Sequence, residues 1–185
     1  MPERQLQDDN ELVSLFKLNQ DREKIFTIIV KKYQEKLYWQ IRRIVITHED
    51  ADDVLQNVFI KAWNGLQQFR EDARLYTWLY RIAVNESLTH LEQQKRKSSV
   101  SFDTVSEAMT EKLVAEKGFD EQKAIWKLQL AIQQLPEKQR IVFNLRYFDE
   151  MSYEDMSHVL ETSVGALKAS YHHAVKKIEE YILNH

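Results

Sequence analysis

The sequence holds no cysteine, three glycines and two prolines in 185 residues. The missing cysteine excludes disulfides and thiolate metal sites. Glycine and proline are the usual turn residues, and an all-β chain of this length needs many tight turns. Their scarcity argues for helices joined by few connections. No stretch reaches the roughly 18 consecutive apolar residues of a membrane span, so no membrane insertion is expected. The segment Met1 to Glu11 is polar and acidic, unlike a signal peptide, and a cytoplasmic protein is expected. Positive charge is not in excess either: the net charge is −3. Taken alone, that disfavours DNA binding, because the phosphate backbone attracts cations.

What is present is unevenly placed. Hydrophobic residues make up 43% of the chain, enough for real cores. Residues 1–97 carry a net charge of +1, residues 98–122 a net −4, and residues 123–185 a net of zero. The acidic excess therefore sits in the middle, where apolar periodicity also fails. Residues 98–120 read as a flexible, solvated linker, with room for a short helix near Glu107–Ala115. The expected fold is all-α, with two small helical domains, 1–97 and 121–185, on either side of it.

Helical spacing of apolar residues is clear in both parts. Phe26, Ile29, Val30, Tyr33, Leu37, Ile41, Ile44 and Val45 mark one helix over 24–46. Ala51, Leu55, Val58, Phe59 and Ala62 mark a second, with Gly65 near its end. Leu75, Trp78, Leu79, Ile82, Ala83 and Leu91 mark a third, from about Ala73 to Lys95. Beyond the linker, Ile125, Leu128, Ile132 and Leu135 form a stripe. Pro136 suits a first helical position, and Ile141, Val142, Leu145 and Tyr147 continue from it.

Residues 152–178 have the layout of a helix-turn-helix: a short helix, a turn at Glu161-Thr162-Ser163, and a longer second helix with Ser163 as N-cap. In that motif the second helix enters the major groove. Residues 162–178 contain Lys168, Lys176 and Lys177 and no acid, and His172 and His173 add donors. A helical hairpin with a solvated basic face fits the same pattern.

Two further segments stand out. His48-Glu49-Asp50-Ala51-Asp52-Asp53 opens a helix with four carboxylates, which the helix dipole favours at that end. The polar face that follows, Asp53, Gln56, Asn57 and Lys61, is either plain solvent surface or a docking surface. Residues 69–81 interleave Phe69, Arg70, Arg74, Tyr76, Trp78, Tyr80 and Arg81. Aromatics beside arginines are what a single-strand binder needs, since every base has a face to stack on and cations hold the phosphates. Core packing is the competing explanation. Trp78 falls on the apolar stripe, which leaves Phe69 and Tyr76 as the better candidates for base contact.

Three stretches together carry a resemblance. Asp50-Ala51-Asp52-Asp53-Val54-Leu55-Gln56-Asn57-Val58-Phe59-Ile60-Lys61-Ala62-Trp63, the segment Phe69 to Asn85, and Ser163 to Ala174 resemble, in order and spacing, the extracytoplasmic-function group of bacterial sigma factors. The resemblance implies domain two of that family, a linker and domain four. It implies docking on the clamp coiled coil of core RNA polymerase through Asp50, Asp53, Gln56, Asn57 and Lys61. It implies that Phe69, Arg74, Tyr76 and Trp78 hold a melted promoter strand with one base flipped out, and that Arg81 and Asn85 contact promoter DNA beside them. Lys168, Ala169, His172, His173 and Lys176 would meet duplex DNA, and an anti-sigma factor is a further expected partner. No catalytic residue, metal or cofactor is implied. The chain departs from the family pattern at Asn57 (usually an acid), Glu71 (usually Gly), and Ser170 and His173 (usually Arg). A helix-turn-helix regulator acting without polymerase would leave the first two stretches unexplained. A metal enzyme built on the His48–Asp52 spacing would lack a third ligand.

Overall fold

The structure, a computed structural model, describes residues 8–19, 21–70, 72–97 and 120–184. The linker over 98–119, the short helix expected near Glu107–Ala115, and Glu71 lie outside the described residues. Among those described there are eight helices and no strand: α1 Asp9–Lys17, α2 Arg22–Val45, α3 His48–Leu66, α4 Leu75–Lys97, α5 Asp120–Gln133, α6 Glu137–Tyr147, α7 Tyr153–Leu160 and α8 Val164–Asn184. The expected all-α architecture is found. The helices divide into two compact units, with the boundary late in α4 after His90.

In the first unit α2 and α3 run antiparallel: Phe26 meets Trp63 at a ring-centroid distance of 5.1 Å, and Tyr38 meets His48 at 5.7 Å. The corner between them is tight. Ile46 adopts φ 74° and ψ −39°, and the Thr47 amide donates to the Val45 carbonyl at 3.0 Å. This is a γ-turn of the rare, strained hand, held by a β-branched residue that disfavours positive φ. Thr47 then caps α3, its hydroxyl accepting from the Asp50 amide at 3.2 Å.

The side of α3 that packs inward is Ala51, Val54, Val58, Ala62 and Leu66. Leu55 and Phe59, expected on the apolar side, are only half-buried. Val54 replaces them because a single 3.6-residue stripe contains 51, 54, 58 and 62. Gly65 does not end the helix, which continues to Leu66. From α4 the core receives Leu75, Leu79, Tyr80, Ala83 and Val84. Trp78 and Ile82 are half-buried, at the margin of that stripe.

Helix α1 has no counterpart in the sequence reading. Its Leu12, Val13 and Phe16 are fully buried, although they stand in a short and otherwise polar segment. The Phe16 ring lies edge-on to Trp63 at 5.3 Å, and the Arg22 guanidinium sits 4.4 Å from its centroid. Asp9 accepts from Lys32 at 2.8 Å and from the Tyr33 hydroxyl at 2.5 Å. Burial, then this carboxylate, push the Tyr33 hydroxyl well above the usual phenol range.

The second unit buries Ala131, Ile132 and Leu135 against Phe143 of α6 and Ala174 and Ile178 of α8. The side chain of Ile125 lies outside those described. Pro136 is the N-cap residue of α6, one place earlier than expected. Its extended ψ of 141° keeps it outside the helix while its carbonyl accepts from the Arg140 amide at 2.9 Å. Tyr147, expected on the apolar side, is 51% exposed, and Phe143 takes the buried place with Tyr147 stacked on it. Ser152 caps α7 by accepting from the Asp155 amide at 3.0 Å. Glu161 turns the chain at φ 49°, and Ser163 accepts from the Ala166 amide at 3.3 Å at the start of α8.

Phe16→Ala is expected to lower unfolding stability by about 3–5 kcal/mol, the cost of truncating a packed aromatic. Leu18→Ala, at a side chain 66% exposed, is expected to change it by less than about 0.5 kcal/mol. Urea denaturation followed by circular dichroism checks the contrast; equal, small effects would mean that α1 is not part of the first core.

Candidate functional site

Three sets of side chains matter, two in the first unit and one in the second. The first is the outward face of α3. Asp53, Gln56 and Asn57 are all exposed on it, at the i, i+3, i+4 spacing that groups side chains on one face. Asp50 and Lys61, expected to act with them, are engaged inside the unit. The Asp50 carboxylate accepts from the Thr47 hydroxyl and lies 2.9 Å from Nε2 of His90 on α4. The Lys61 ammonium pairs with Glu86, also on α4. Both residues thus tie α3 to α4 at the edge of the face. The same face carries Ile60, 53% exposed, which the sequence reading passed over. The signal was available: Ile60 follows Gln56 by four and Asn57 by three in the polar register.

The second set surrounds the loop before α4. Spacing places Arg74, Trp78, Arg81 and Asn85 on one face of that helix; Arg74 and Asn85 are exposed, Trp78 and Arg81 half-buried. Phe69, Thr77, Trp78 and Arg81 border one cavity together with Gly65 and Gln68. The aromatic roles expected from sequence are not those observed. Phe69 is 8% exposed and supports the Trp78 indole from beneath, at a centroid distance of 5.1 Å. Trp78 keeps part of its ring accessible. Tyr76 does not join them: two residues from Trp78 means about 200° around the helix, and its ring packs on Tyr80 at 4.4 Å.

The third set is on α8. Lys168, Ala169, His172, His173 and Lys176 are all exposed, opposite the buried Leu167, Ala174 and Ile178. No acid stands in the first turn of α8. Gly165 is exposed, with open space where a Cβ would lie. Beside this face the Tyr153 ring has the Arg146 guanidinium 5.2 Å and the Lys168 ammonium 5.7 Å from its centroid. Arg146 also donates to the Met151 carbonyl at 3.0 Å, so one of the two cations is anchored to the backbone.

Comparison with known proteins fits this arrangement. The family model for Sigma-70 region 2 matches residues 29–97, and that for Sigma-70 region 4 matches residues 125–178. The RNA polymerase sigma-H factor of Pseudomonas aeruginosa is 32% identical over 94% of this chain and 93% of its own length. The chain belongs to the extracytoplasmic-function RNA polymerase sigma factors. The sigma-E factor of Escherichia coli is likewise 32% identical to this sigma factor, over 86% of this chain and 87% of its own. Two solved structures share the fold at lower identity. CnrH, in complex with the cytosolic domain of CnrY, covers 94% of this chain and 96% of its own at 21% identity, with a TM-score of 0.69. The sigma factor RpoE of Bartonella quintana, in complex with the anti-sigma factor NepR, covers 86% and 97% at 19% identity, with a TM-score of 0.66.

Among the described residues no group of three or more His, Cys, Asp or Glu side chains could hold a metal ion, and no helix is long and apolar enough to cross a membrane. His48 meets Asp52 at 3.6 Å, but its Nδ1 is 2.6 Å from the Tyr38 hydroxyl, which leaves the pair a helix-start contact.

Because Asp50 links the α3 cap to α4 while Asp53 faces solvent, the two acids separate on stability. Asp50→Ala is expected to cost about 1–2 kcal/mol, on the scale of a lost cap, and Asp53→Ala less than about 0.5 kcal/mol. Paired chemical denaturation curves test this; equal losses would make Asp50 one more surface acid.

Proposed function

We propose that this sigma factor divides promoter recognition between its two units and works only as part of RNA polymerase. Residues 1–97 are domain two, 98–120 the linker and 121–185 domain four. The observation that carries the reading is the pairing of an exposed acidic–polar face on α3 with an exposed face on α8 that carries no acid between residues 164 and 178, each on a capped helix of a different unit.

Asp53, Gln56 and Asn57, with Ile60 at the centre, dock on the clamp coiled coil of core polymerase. Asp50 and Lys61 hold α3 on α4, so their part in docking is to fix the face. Arg74, Trp78, Arg81 and Asn85 receive the opened promoter strand. The accessible part of the Trp78 ring stacks on a base, the arginines hold phosphates, and Phe69 supports the indole. A base leaving the stack costs a few kcal/mol, repaid by the cavity and the stacking. No covalent bond changes. Lys168, Ala169, His172, His173 and Lys176 meet duplex DNA, with α8 in the major groove. Complexes such as that of the Bartonella quintana relative support an anti-sigma factor as a further partner. The site of action is wherever core polymerase meets promoters, in the cytoplasm.

The deciding experiment adds the purified protein to sigma-free bacterial core polymerase and measures co-elution and run-off transcription on a pool of upstream genomic fragments. Stable association with new discrete transcripts is expected. Specific DNA binding by the protein alone, without association, would point to a helix-turn-helix regulator instead. Two substitutions test the division of labour. Asp53→Ala with Gln56→Ala is expected to weaken core binding about fivefold or more without changing the promoters chosen. Lys168→Ala is expected to leave core binding intact while lowering the slope of log affinity against log salt by about one. Loss of both functions in either variant would sink the proposed split.

A further inference from the structure

One of the three glycines lies where no turn needs it. Gly65 is in the last turn of α3, and no glycine in the described chain has positive φ. Glycine in a helix costs stability relative to alanine, because the unfolded chain gains freedom. A conformational reason is absent, so a packing reason is required. A Cβ built at position 65 would fall 3.0 Å from Cζ2 and 3.5 Å from Cη2 of Trp78. The indole therefore rests against the bare backbone of α3. On its other contacts the ring is bounded by Phe69, at 5.1 Å and an interplanar angle of 42°. Gly65, Phe69 and Trp78 border the same cavity. The ring that borders the cavity thus contacts both a phenylalanine and a glycine, and a methyl group at 65 would require the indole to give by a few tenths of an ångström.

We infer that Gly65 is a positioning residue for base capture: by omitting a side chain it lets Trp78 sit against α3 and so sets the space open to an unstacked base. The inference rests on the proposed role of the Trp78 face in holding the opened strand. Side-chain size at 65 then tunes both the affinity for single-stranded DNA and the base preferred at the captured position. Core binding, which uses the outward face of α3, is independent of it. Gly65 also gives up helix stability for this purpose, so an alanine there separates function from folding instead of damaging both.

The test uses holoenzyme reconstituted with core polymerase and a randomised pool of single-stranded oligonucleotides, with affinity by fluorescence anisotropy and base preference by sequencing the bound fraction. Gly65→Ala is expected to weaken strand binding about two- to tenfold, the scale of one displaced rotamer, or to change the preferred base. Core affinity should be unchanged and the melting temperature unchanged or raised. Trp78→Phe, which removes the benzo edge facing position 65, lowers strand affinity by itself, but adding Gly65→Ala to Trp78→Phe is expected to cost less than adding it to the wild-type protein. Unaltered affinity and preference in Gly65→Ala would overturn the inference, as would a Gly65→Ala defect of equal size in the wild-type and Trp78→Phe backgrounds. Arg74→Ala is the control for the underlying reading. If it weakens strand binding while Gly65→Ala does not, only the glycine inference fails. If neither does, the strand-binding role of the face fails with it.

Discussion

The first unit depends on how α3 is seated, and one carboxylate does most of the seating. Asp50 joins three elements at once: it bonds the Thr47 hydroxyl that caps the helix, it stands in the first turn of α3, and it meets His90 on α4. The capping geometry satisfies donors that a helix start leaves open. The contact with α4 fixes the rotation of α3 about its axis. Lys61 and Glu86 repeat the tie further along the same two helices. With the buried face of Ala51, Val54, Val58, Ala62 and Leu66, these two contacts seat α3 so that Asp53, Gln56, Asn57 and Ile60 face outward. The strained turn at Ile46 belongs to the same constraint, since it brings α3 back along α2 with only two intervening residues.

Charge distribution complements this geometry. Neither unit has the large cationic excess of a protein that binds DNA by itself. Backbone neutralisation provides most of the affinity of an independent binder, so a near-neutral factor is left with weak affinity for random sites. Tethering two modest DNA-binding faces on one large partner raises the effective concentration of each for its element. Weak individual contacts then become an advantage: they discriminate only where both elements are present at the right spacing.

Much of this was legible in sequence because it depends on short periods. Most of the stripes of α2 and α4, the Ser163 cap and the run of residues 162–178 without an acid are all local patterns, and they appear where spacing put them. What escaped depends on contacts between distant residues. Helix α1 has four apolar residues in nine, too short a run to announce a core element, and Phe26, Trp63 and Arg22 close around its Phe16. Asp50 looked like one of four equivalent acids; only the position of His90 makes it different. Phe69 is buried more deeply than Trp78 for the same reason: helical spacing put Trp78 on the apolar side, but a loop residue with no periodicity took the deeper place. Tyr147 was misjudged on a finer scale, since Phe143 four residues earlier fills the buried side and the tyrosine can only stack upon it.

The two functional helices also show opposite uses of the same terminus. α3 opens with Glu49 and Asp50, carboxylates that offset the positive end of the helix dipole and stabilise the start. α8 has no acid in its first turn and forgoes that stabilisation. Its stability comes instead from length and from burial of Leu167, Ala174 and Ile178. The consequence is electrostatic. Its first turn presents no carboxylate, the side chains there, Gly165 and Ala166, are small, and the Ser163 cap accepts from the Ala166 amide. The exposed side chains further along, Lys168, Ala169, His172, His173 and Lys176, therefore stand on a helix whose start carries no opposing carboxylate. That is consistent with a recognition face that carries histidine at 173, where relatives of this family usually carry arginine.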